Sequence, residues 1–407
     1  MTTAAPVVDS TGADARPRFL AVEISGWAGL DCNVRLQLDA TRTVLVGKNG
    51  VGKSLLVEGV SRAARLARYP PSLSSQPVPR SFRCDIARPN VSTIVYEYRI
   101  GPDDTEEELD VSGAETTPRR RVRPWYERCW VHNGEELWKI NNSKLIVRGG
   151  EAVPFSPGVG LLAVEEPPED VPDEADQVAR MLAGFGLVPA GVPRSEAAYR
   201  REVIGRSMRR GGLGTRRWIL TRPGGRVDVL ANWITSTWEN RRERYDEFVT
   251  ILRDLSLVQE VTVKIYEDPQ VDQNPEERRD FASVLFDGVN IGLQSDGTLR
   301  VAEIVAQLLR PGVSCLLVEE PETAVHPGLL AKLLALMDSY SFDRQIVIST
   351  HSPEVVNWCE PKQLRLVERE GGVTQVHALG SDDISRVMQY LHDQGTLADF
   401  IYARESE

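Results

Sequence analysis

The sequence predicts an α/β fold built from two sequence-separated lobes, with a mostly helical insertion between them. Three observations predict it. The short apolar strand Thr43-Val44-Leu45-Val46 runs into a glycine-rich turn and then a helix. Two further apolar strands, at 315–318 and 345–349, lie far downstream with helical patterns before, between and after them. Between these lobes, from 165 to 256, the composition turns arginine-rich and the periodicity becomes helical.

Each element has its own warrant. Residues 19–24 alternate apolar and polar as a strand does, and 34–38 repeat the pattern. A helix follows from Gly52, with Leu55, Leu56, Val60, Ala63 and Ala64 on one face, and stops before Pro70-Pro71. Ile94, Tyr96, Tyr98 and Ile100 line one side of a strand over 91–100. Residues 102–118 are polar and acidic. Strands resume over 125–132 and 137–147, with turns at Asn133-Gly134 and Asn141-Asn142. Residues 165–176, rich in proline and acid, read as a linker. One helix is expected over 232–255, with Trp238, Tyr245, Phe248, Val249 and Leu252 sharing a face. Strands return at 261–265, and 281–291 reads as a hairpin turning at Asp287-Gly288. The chain closes with an amphipathic helix over 381–394, ended by Gly395. The expected division is a disordered tail at 1–17, a first lobe at 18–164, an arginine-rich helical insertion at 165–256 and a second lobe at 257–407.

Composition narrows the function. The 407 residues are 41% apolar and 26% charged, enough to bury a sizeable core. The 48 basic and 59 acidic residues sum to −11, which argues against coating nucleic acid by bulk charge, though a local basic groove stays open. Five scattered cysteines without a Cys-x-x-Cys pair suggest neither a disulfide framework nor a zinc cluster. No apolar run approaches the roughly 18 residues that span a bilayer, and the N-terminus lacks the basic start and apolar stretch of a signal peptide. A cytoplasmic protein is expected, with no membrane partner.

The strongest chemical signal is Gly47-Lys48-Asn49-Gly50-Val51-Gly52-Lys53-Ser54, the spacing G-x-x-x-x-G-K-[ST] between a strand and a helix. Gly47, Gly50 and Gly52 let backbone N–H groups wrap phosphate oxygens, with Asn49 in the same turn. Lys53 would neutralise the outer phosphates and the Ser54 hydroxyl would ligate Mg²⁺. The plain alternative is a chance glycine-rich turn. ATP and Mg²⁺ are the cofactors this implies.

Such a loop needs an acid at the end of a neighbouring strand. Two segments compete: Leu161-Leu162-Ala163-Val164-Glu165-Glu166-Pro167 and Cys315-Leu316-Leu317-Val318-Glu319-Glu320-Pro321-Glu322. The second has a helix before it, and after it His326-Pro327 opening another helix that leads to the apolar strand ending in Thr350-His351-Ser352-Pro353. It is preferred, and the first is taken as a decoy. Glu319 would then help hold Mg²⁺ and its waters. Glu320 would deprotonate the attacking water as general base, and His351 would meet the γ-phosphate. Before that strand, Leu293-Gln294-Ser295-Asp296-Gly297-Thr298-Leu299-Arg300 enters a helix with Val301, Ile304, Val305 and Leu308 on its apolar face. Taken alone, Ser295 is a helix N-cap; the N–H groups behind it also suit an anion.

The ordered motifs, from P-loop through Ser-Asp-Gly-Thr-Leu-Arg, Glu-Glu-Pro-Glu and His-Pro to Ser-Thr-His-Ser-Pro, resemble the ABC-type AAA ATPases of the SMC/RecF and OLD-like group. The resemblance covers 19–164 and 261–402 and implies an ABC-type P-loop NTPase domain. It implies that Ser295 and Gly297 contact the γ-phosphate bound to an opposite subunit, so that two chains form a homodimer around two nucleotides. It places Ala324 and His326 in a loop coupling the two sites. Three features depart from the pattern. Glu319 stands where ABC ATPases usually carry Asp, Trp27-Ala28 where Phe-Arg usually follows the first strand, and Gln76 is a weak match for the Q-loop glutamine. No acidic cluster after His351 matches the Toprim nuclease of OLD proteins.

The arginine clusters Arg119 to Arg123, Arg200-Arg201, Arg206 to Arg210, Arg216-Arg217 and Arg241 to Arg244 read either as a DNA-facing groove or as solvated faces pairing with nearby acids. The expected function is an ATPase motor or switch acting on DNA or on a separate effector protein, in DNA maintenance or antiviral defence. The alternative is a nucleotide-gated scaffold with negligible turnover. A transporter subunit is disfavoured by the Ser-Asp-Gly-Thr signature and the insertion.

Overall fold

The computed structural model describes residues 16–28, 30, 32–68, 78–89, 91–101, 107–109, 120–122, 125–156, 159–164, 167–168, 170–190, 204–209, 216–220, 226–267, 280–392, 396–399 and 401. Gln76, most of 102–118, Glu165, Glu166, Gly395, Arg119, Arg123, Arg200, Arg201, Arg210 and residues 1–15 of the tail lie outside them.

The chain divides into two compact units. The first holds residues 1–187, 312–319 and 338–407, the second 188–311 and 320–337. The first opens with β1 (Arg18–Ser25), β2 (Val34–Gln37), β3 (Arg42–Val46) and α1 (Lys53–Leu66). It continues through β4 (Ser81–Arg88), β5 (Val91–Ile100), the short pair β6 (Glu107–Leu109) and β7 (Arg120–Val122), then β8 (Trp125–Val131), β9 (Glu136–Asn141), β10 (Lys144–Val147) and β11 (Val153–Pro154). After α2 (Asp173–Ala183) and β12 (Phe185–Val188), the second unit supplies β13 (Ile204–Arg209), β14 (Arg216–Leu220), α3 (Arg226–Asn240), α4 (Arg242–Asp254), β15 (Val261–Glu267), β16 (Asp280–Phe286), β17 (Val289–Asn290) and α5 (Asp296–Leu309). The last elements are β18 (Cys315–Glu319), α6 (Pro327–Tyr340), β19 (Gln345–Ser349), α7 (Pro353–Trp358), β20 (Leu364–Glu370), β21 (Val373–Ala378) and α8 (Ser381–His392).

Within the first unit, a six-stranded sheet runs β12-β18-β19-β3-β20-β21, with β18, β19, β3 and β20 mutually parallel. Parallel strands covered on both faces should read as continuous apolar runs, and every residue of β18 and β19 is buried. An antiparallel sheet of eight strands runs β11-β10-β9-β8-β5-β4-β1-β2. It alternates core and solvent, as in β4 (Phe82, Cys84 and Ile86 inside). Helix α1 packs on β1 and β4 of this sheet and on β18 and β19 of the other, so one core spans both. Gly59 makes the approach close, since a Cβ there would stand 2.6 Å from Ile24 and Trp27. The buried Gln345 side chain stitches the sheets together. Its amide donates to Phe19 O and Asp39 O and accepts from Phe19 N, each at 2.8 Å.

The second unit has its own antiparallel sheet, β14-β13-β16-β15, with β17 hairpinned onto β16 through Asp287 and Gly288 (φ 48° and 80°), the turn expected there. Three local expectations differ from what forms. The helix expected over 232–255 is two helices, broken at Arg241 (φ −146°, ψ 63°). Trp233 and Phe248 supply the reason: their ring centroids lie 5.2 Å apart, edge to face. A continuous helix would hold residues so separated about 22 Å apart along its axis. Residues 204–209 and 216–220 form an antiparallel pair rather than helix, with Arg206 opposite Ile219 and Ser207 opposite Trp218. The β9–β10 turn carries its positive φ angles at Asn142 and Ser143, one residue later than expected.

Candidate functional site: a P-loop, two consecutive glutamates and a capped loop

In the first unit, the buried β3 lies between β19 and β20 and delivers the chain into the loop 47–52 at the carboxyl ends of the parallel strands. That end of an open α/β sheet is where ligands bind. Gly50 has φ 80° with open space around it, whereas Gly52 has φ 107° and sits on Thr374, whose Oγ1 a Cβ would approach to 2.7 Å. The Thr374 hydroxyl in turn donates to Val51 O at 2.8 Å and fixes the loop from below. At Gly47 a Cβ would run into Val367 O. Lys48, Asn49 and Gly50 form the exposed rim.

Helix α1 starts at Lys53 with Gly52 as N-cap, so no side chain occupies its first N–H groups, and its first turn carries no acid. Those donors and the helix dipole favour an anion. Lys53 is 6% exposed; its Nζ donates to Gly47 O at 2.5 Å and Lys48 O at 3.0 Å, so the ammonium closes the loop on itself. Ser54 is exposed beside it.

Glu319 ends β18 and is 5% exposed. In register, Glu319 stands opposite Ser349, and Ser349 opposite Leu45. The Ser349 hydroxyl is buried and has no hydrogen-bond partner among the described residues. Thr350 N donates to Leu45 O at 3.1 Å, and Thr350 Oγ1 accepts from Ser352 N at 2.8 Å, which folds the Ser-Thr-His-Ser turn. His351 is half-buried there, two residues past the strand.

These residues fit Mg²⁺ with a nucleotide. Mg²⁺ takes hard oxygen ligands and is usually held by one or two carboxylates together with substrate phosphates. The register brings one buried carboxylate and one orphaned hydroxyl to the strand ends beside the P-loop, and the described residues contain no cluster of three His, Cys, Asp or Glu that would suit another metal.

The chain passes to the second unit between Glu319 and Glu320. Glu320 has φ 43° and Ala324 φ 60°, left-handed conformations for residues with a Cβ, at the two ends of a tight turn. Thr323 Oγ1 donates to Glu320 Oε2 at 3.1 Å, and Thr323 N to Glu320 O at 3.0 Å. His326 precedes α6, and its Nδ1 accepts from Gly328 N at 3.2 Å. In the same unit Ser295 is exposed and caps α5, accepting from Thr298 N at 3.2 Å. Gly297 lies so close to Ala324 O that a Cβ would collide with it. Arg300, 1% exposed, donates to Pro189 O and to Glu320 O.

The sequence-predicted residues thus fall into two groups. Gly47, Asn49, Gly50, Gly52, Lys53, Ser54, Glu319 and His351 gather at the strand ends of the first unit. Ser295, Gly297 and Glu320 gather in the second. Sequence reasoning missed Ser349, Thr374, Thr323 and the role of Arg300; of these, Ser349 and Arg300 lay inside motifs that drew notice. The competing segment at 161 is a 3-10 turn over Leu161–Ala163. Trp27 is a core residue: it is buried on Gly59 and donates to Leu55 O at 2.9 Å. Two of the arginines hold local structure, Arg244 donating to Leu309 O at the end of α5 (2.8 Å) and Arg242 pairing with Asp246 at 3.1 Å.

Residues 233–357 match the family described as "AAA domain, putative AbiEii toxin, Type IV TA system". The matched stretch contains the capped loop, both glutamates and His351. Among solved structures, the chain is similar to an Smc head bound to the C-winged helix domain of ScpA, at 12% identity over 91% of this chain and 99% of that one (TM-score 0.45). It is similar to the Smc head domain with an extended coiled coil bound to the C-terminal domain of ScpA from Pyrococcus furiosus (12%, 92% and 100%, TM-score 0.41). It is also similar to the ATP binding subunit of an ABC transporter (13%, 95% and 99%, TM-score 0.40). No curated protein matches the sequence. Among the described residues, no helix is long and apolar enough to cross a membrane.

Proposed function

We propose that the chain binds ATP at the P-loop and hydrolyses it to ADP and phosphate. One observation carries this reading: an uncapped helix N-terminus, a buried lysine and a buried glutamate converge at the carboxyl ends of adjoining parallel strands. The backbone N–H groups of 50–54 and Lys53 hold the phosphates. Ser54 and Glu319 would hold Mg²⁺, which when bound neutralises phosphate charge. Glu320 accepts the proton of the attacking water, and His351 meets the γ-phosphate. Two copies close head to tail, Ser295 and Gly297 of one facing the nucleotide of the other, and the cycle drives a separate effector protein or DNA, in DNA maintenance or antiviral defence. A cytoplasmic location fits this role.

The test is steady-state ATP turnover with Lys53→Ala as blank, with and without duplex DNA, and light scattering of Glu320→Gln with ATP. Turnover above the blank with a dimer trapped by Glu320→Gln supports the reading. Stimulation by duplex selects DNA, and indifference to it selects the effector. Nucleotide binding without turnover selects the gated scaffold.

A further inference from the structure

The carboxylate of Glu320 is not left to choose its own position. A glutamate has three side-chain torsions, and ordering such a side chain costs conformational entropy. Here Thr323, three residues on, engages one oxygen, Oε2, at 3.1 Å. The reach depends on the turn being tight, because the Thr323 amide also bonds Glu320 O at 3.0 Å. The turn is held at both ends. Arg300 donates to Glu320 O, and the missing side chain of Gly297 admits Ala324 O. Glu320 and Ala324 keep left-handed angles that persist only where surroundings impose them.

We infer that Thr323 is a positioning residue for the general base. Its hydroxyl donates to Oε2 and leaves Oε1 to accept the proton of the attacking water. A threonine suits the task better than a longer donor, because its hydroxyl sits one bond from Cβ and carries no charge to compete for the proton. This inference rests on the ATPase reading above. It adds that the geometry of the base is set within its own turn.

The test compares Thr323→Val, which keeps the shape and removes the hydroxyl, with Thr323→Ser, which keeps the hydroxyl. Both are measured for kcat, KM and nucleotide affinity by fluorescent ATP analogue binding, with Lys53→Ala as blank. The Val variant should lose about 10-fold in kcat with affinity within about 2-fold of wild type, as expected for a misplaced base. The Ser variant should restore kcat. Should the Val variant melt early, Thr323→Ala removes the same hydroxyl without needing space and takes its place. A kcat equal to or above wild type in the hydroxyl-free variant overturns the inference, as does a loss of affinity in step with kcat. Wild-type turnover that never exceeds the blank overturns the ATPase reading, and this inference with it.

Discussion

The two units hold their candidate functional residues by different means. In the first, register does the placing: Leu45, Ser349 and Glu319 stand side by side because three parallel strands pair in phase, and the P-loop leaves from the end of one of them. In the second, a tight turn and a helix cap do it: Glu320 is held by Thr323, and Ser295 by Thr298. Placement by register tolerates many side-chain changes so long as the strands stay apolar. Placement by a strained turn depends on a few contacts. Substitutions in the second group should therefore change catalysis more than binding, and those in the first should change binding.

The largest expected effect comes from Glu320→Gln. Losing a general base costs about 10²–10⁴-fold in rate. Nucleotide affinity, set in the first unit, should stay within a few-fold of wild type by equilibrium binding. A parallel loss of affinity would break the comparison.

A comparable effect on stability sits away from both sites. Glu127, on β8, is buried and accepts from Trp125 Nε1 (2.9 Å), Trp138 Nε1 (2.8 Å) and Leu161 N (3.2 Å). Burial outweighs these donors and raises its carboxyl to about 7. The folded protein therefore binds a proton that the unfolded chain has released, and stability falls as pH rises from about 4.5 to about 7. The contribution is about 3 kcal/mol, at about 1.36 kcal/mol per unit. Denaturant unfolding of wild type and Glu127→Gln at pH 5 and pH 8 should show the wild-type decline and a flatter variant. The same slope in both would remove Glu127 as its source.

Lys53→Ala tests the first unit directly. A charge-assisted hydrogen bond is worth about 1.5–3 kcal/mol, so nucleotide affinity should fall about 10–100-fold. The fold should survive, because the lysine's bonds to Gly47 O and Lys48 O lie within the P-loop itself rather than in the apolar core.

What could be read in the sequence follows the same divide. Runs such as Cys315–Glu319 announce buried parallel strands, and the P-loop spacing announces its own turn. That Glu319 would fall opposite Ser349 could not be read, because register is a property of pairing. The break at Arg241 was hidden because Tyr245, Phe248 and Leu252 keep helical spacing on both readings, and the contact that decides it, Trp233 on Phe248, is tertiary. Arginines at 206–209 and 216–217 suggested helix, yet Ile204–Arg209 and Arg216–Leu220 pair as strands, where partners decide more than intrinsic preference. Thr323 carried no signal at all, since a hydroxyl three residues after a glutamate is ordinary until the turn closes.

The smallest effect gives the sharpest contrast, and it comes from adding one methyl group to each region. At Gly52 a Cβ meets Thr374 Oγ1 at φ 107°, and at Gly297 it meets Ala324 O. Either collision should cost about 1–3 kcal/mol of stability. Their functional consequences should separate. Gly52→Ala pushes the P-loop off its support, so nucleotide affinity should drop while any residual turnover keeps a normal kcat at saturation. Gly297→Ala pushes on the turn that carries Glu320, so affinity should hold while kcat drops. Suppressor substitutions should separate too: Thr374→Ser, which removes the methyl but keeps the bond to Val51 O, leaves the Gly52 collision with Oγ1 in place, whereas Thr374→Ala relieves it and forfeits the bond. Neither change should rescue Gly297→Ala, whose obstacle is a backbone carbonyl in the other unit. Rescue across the units would mean that register and turn are not independent supports.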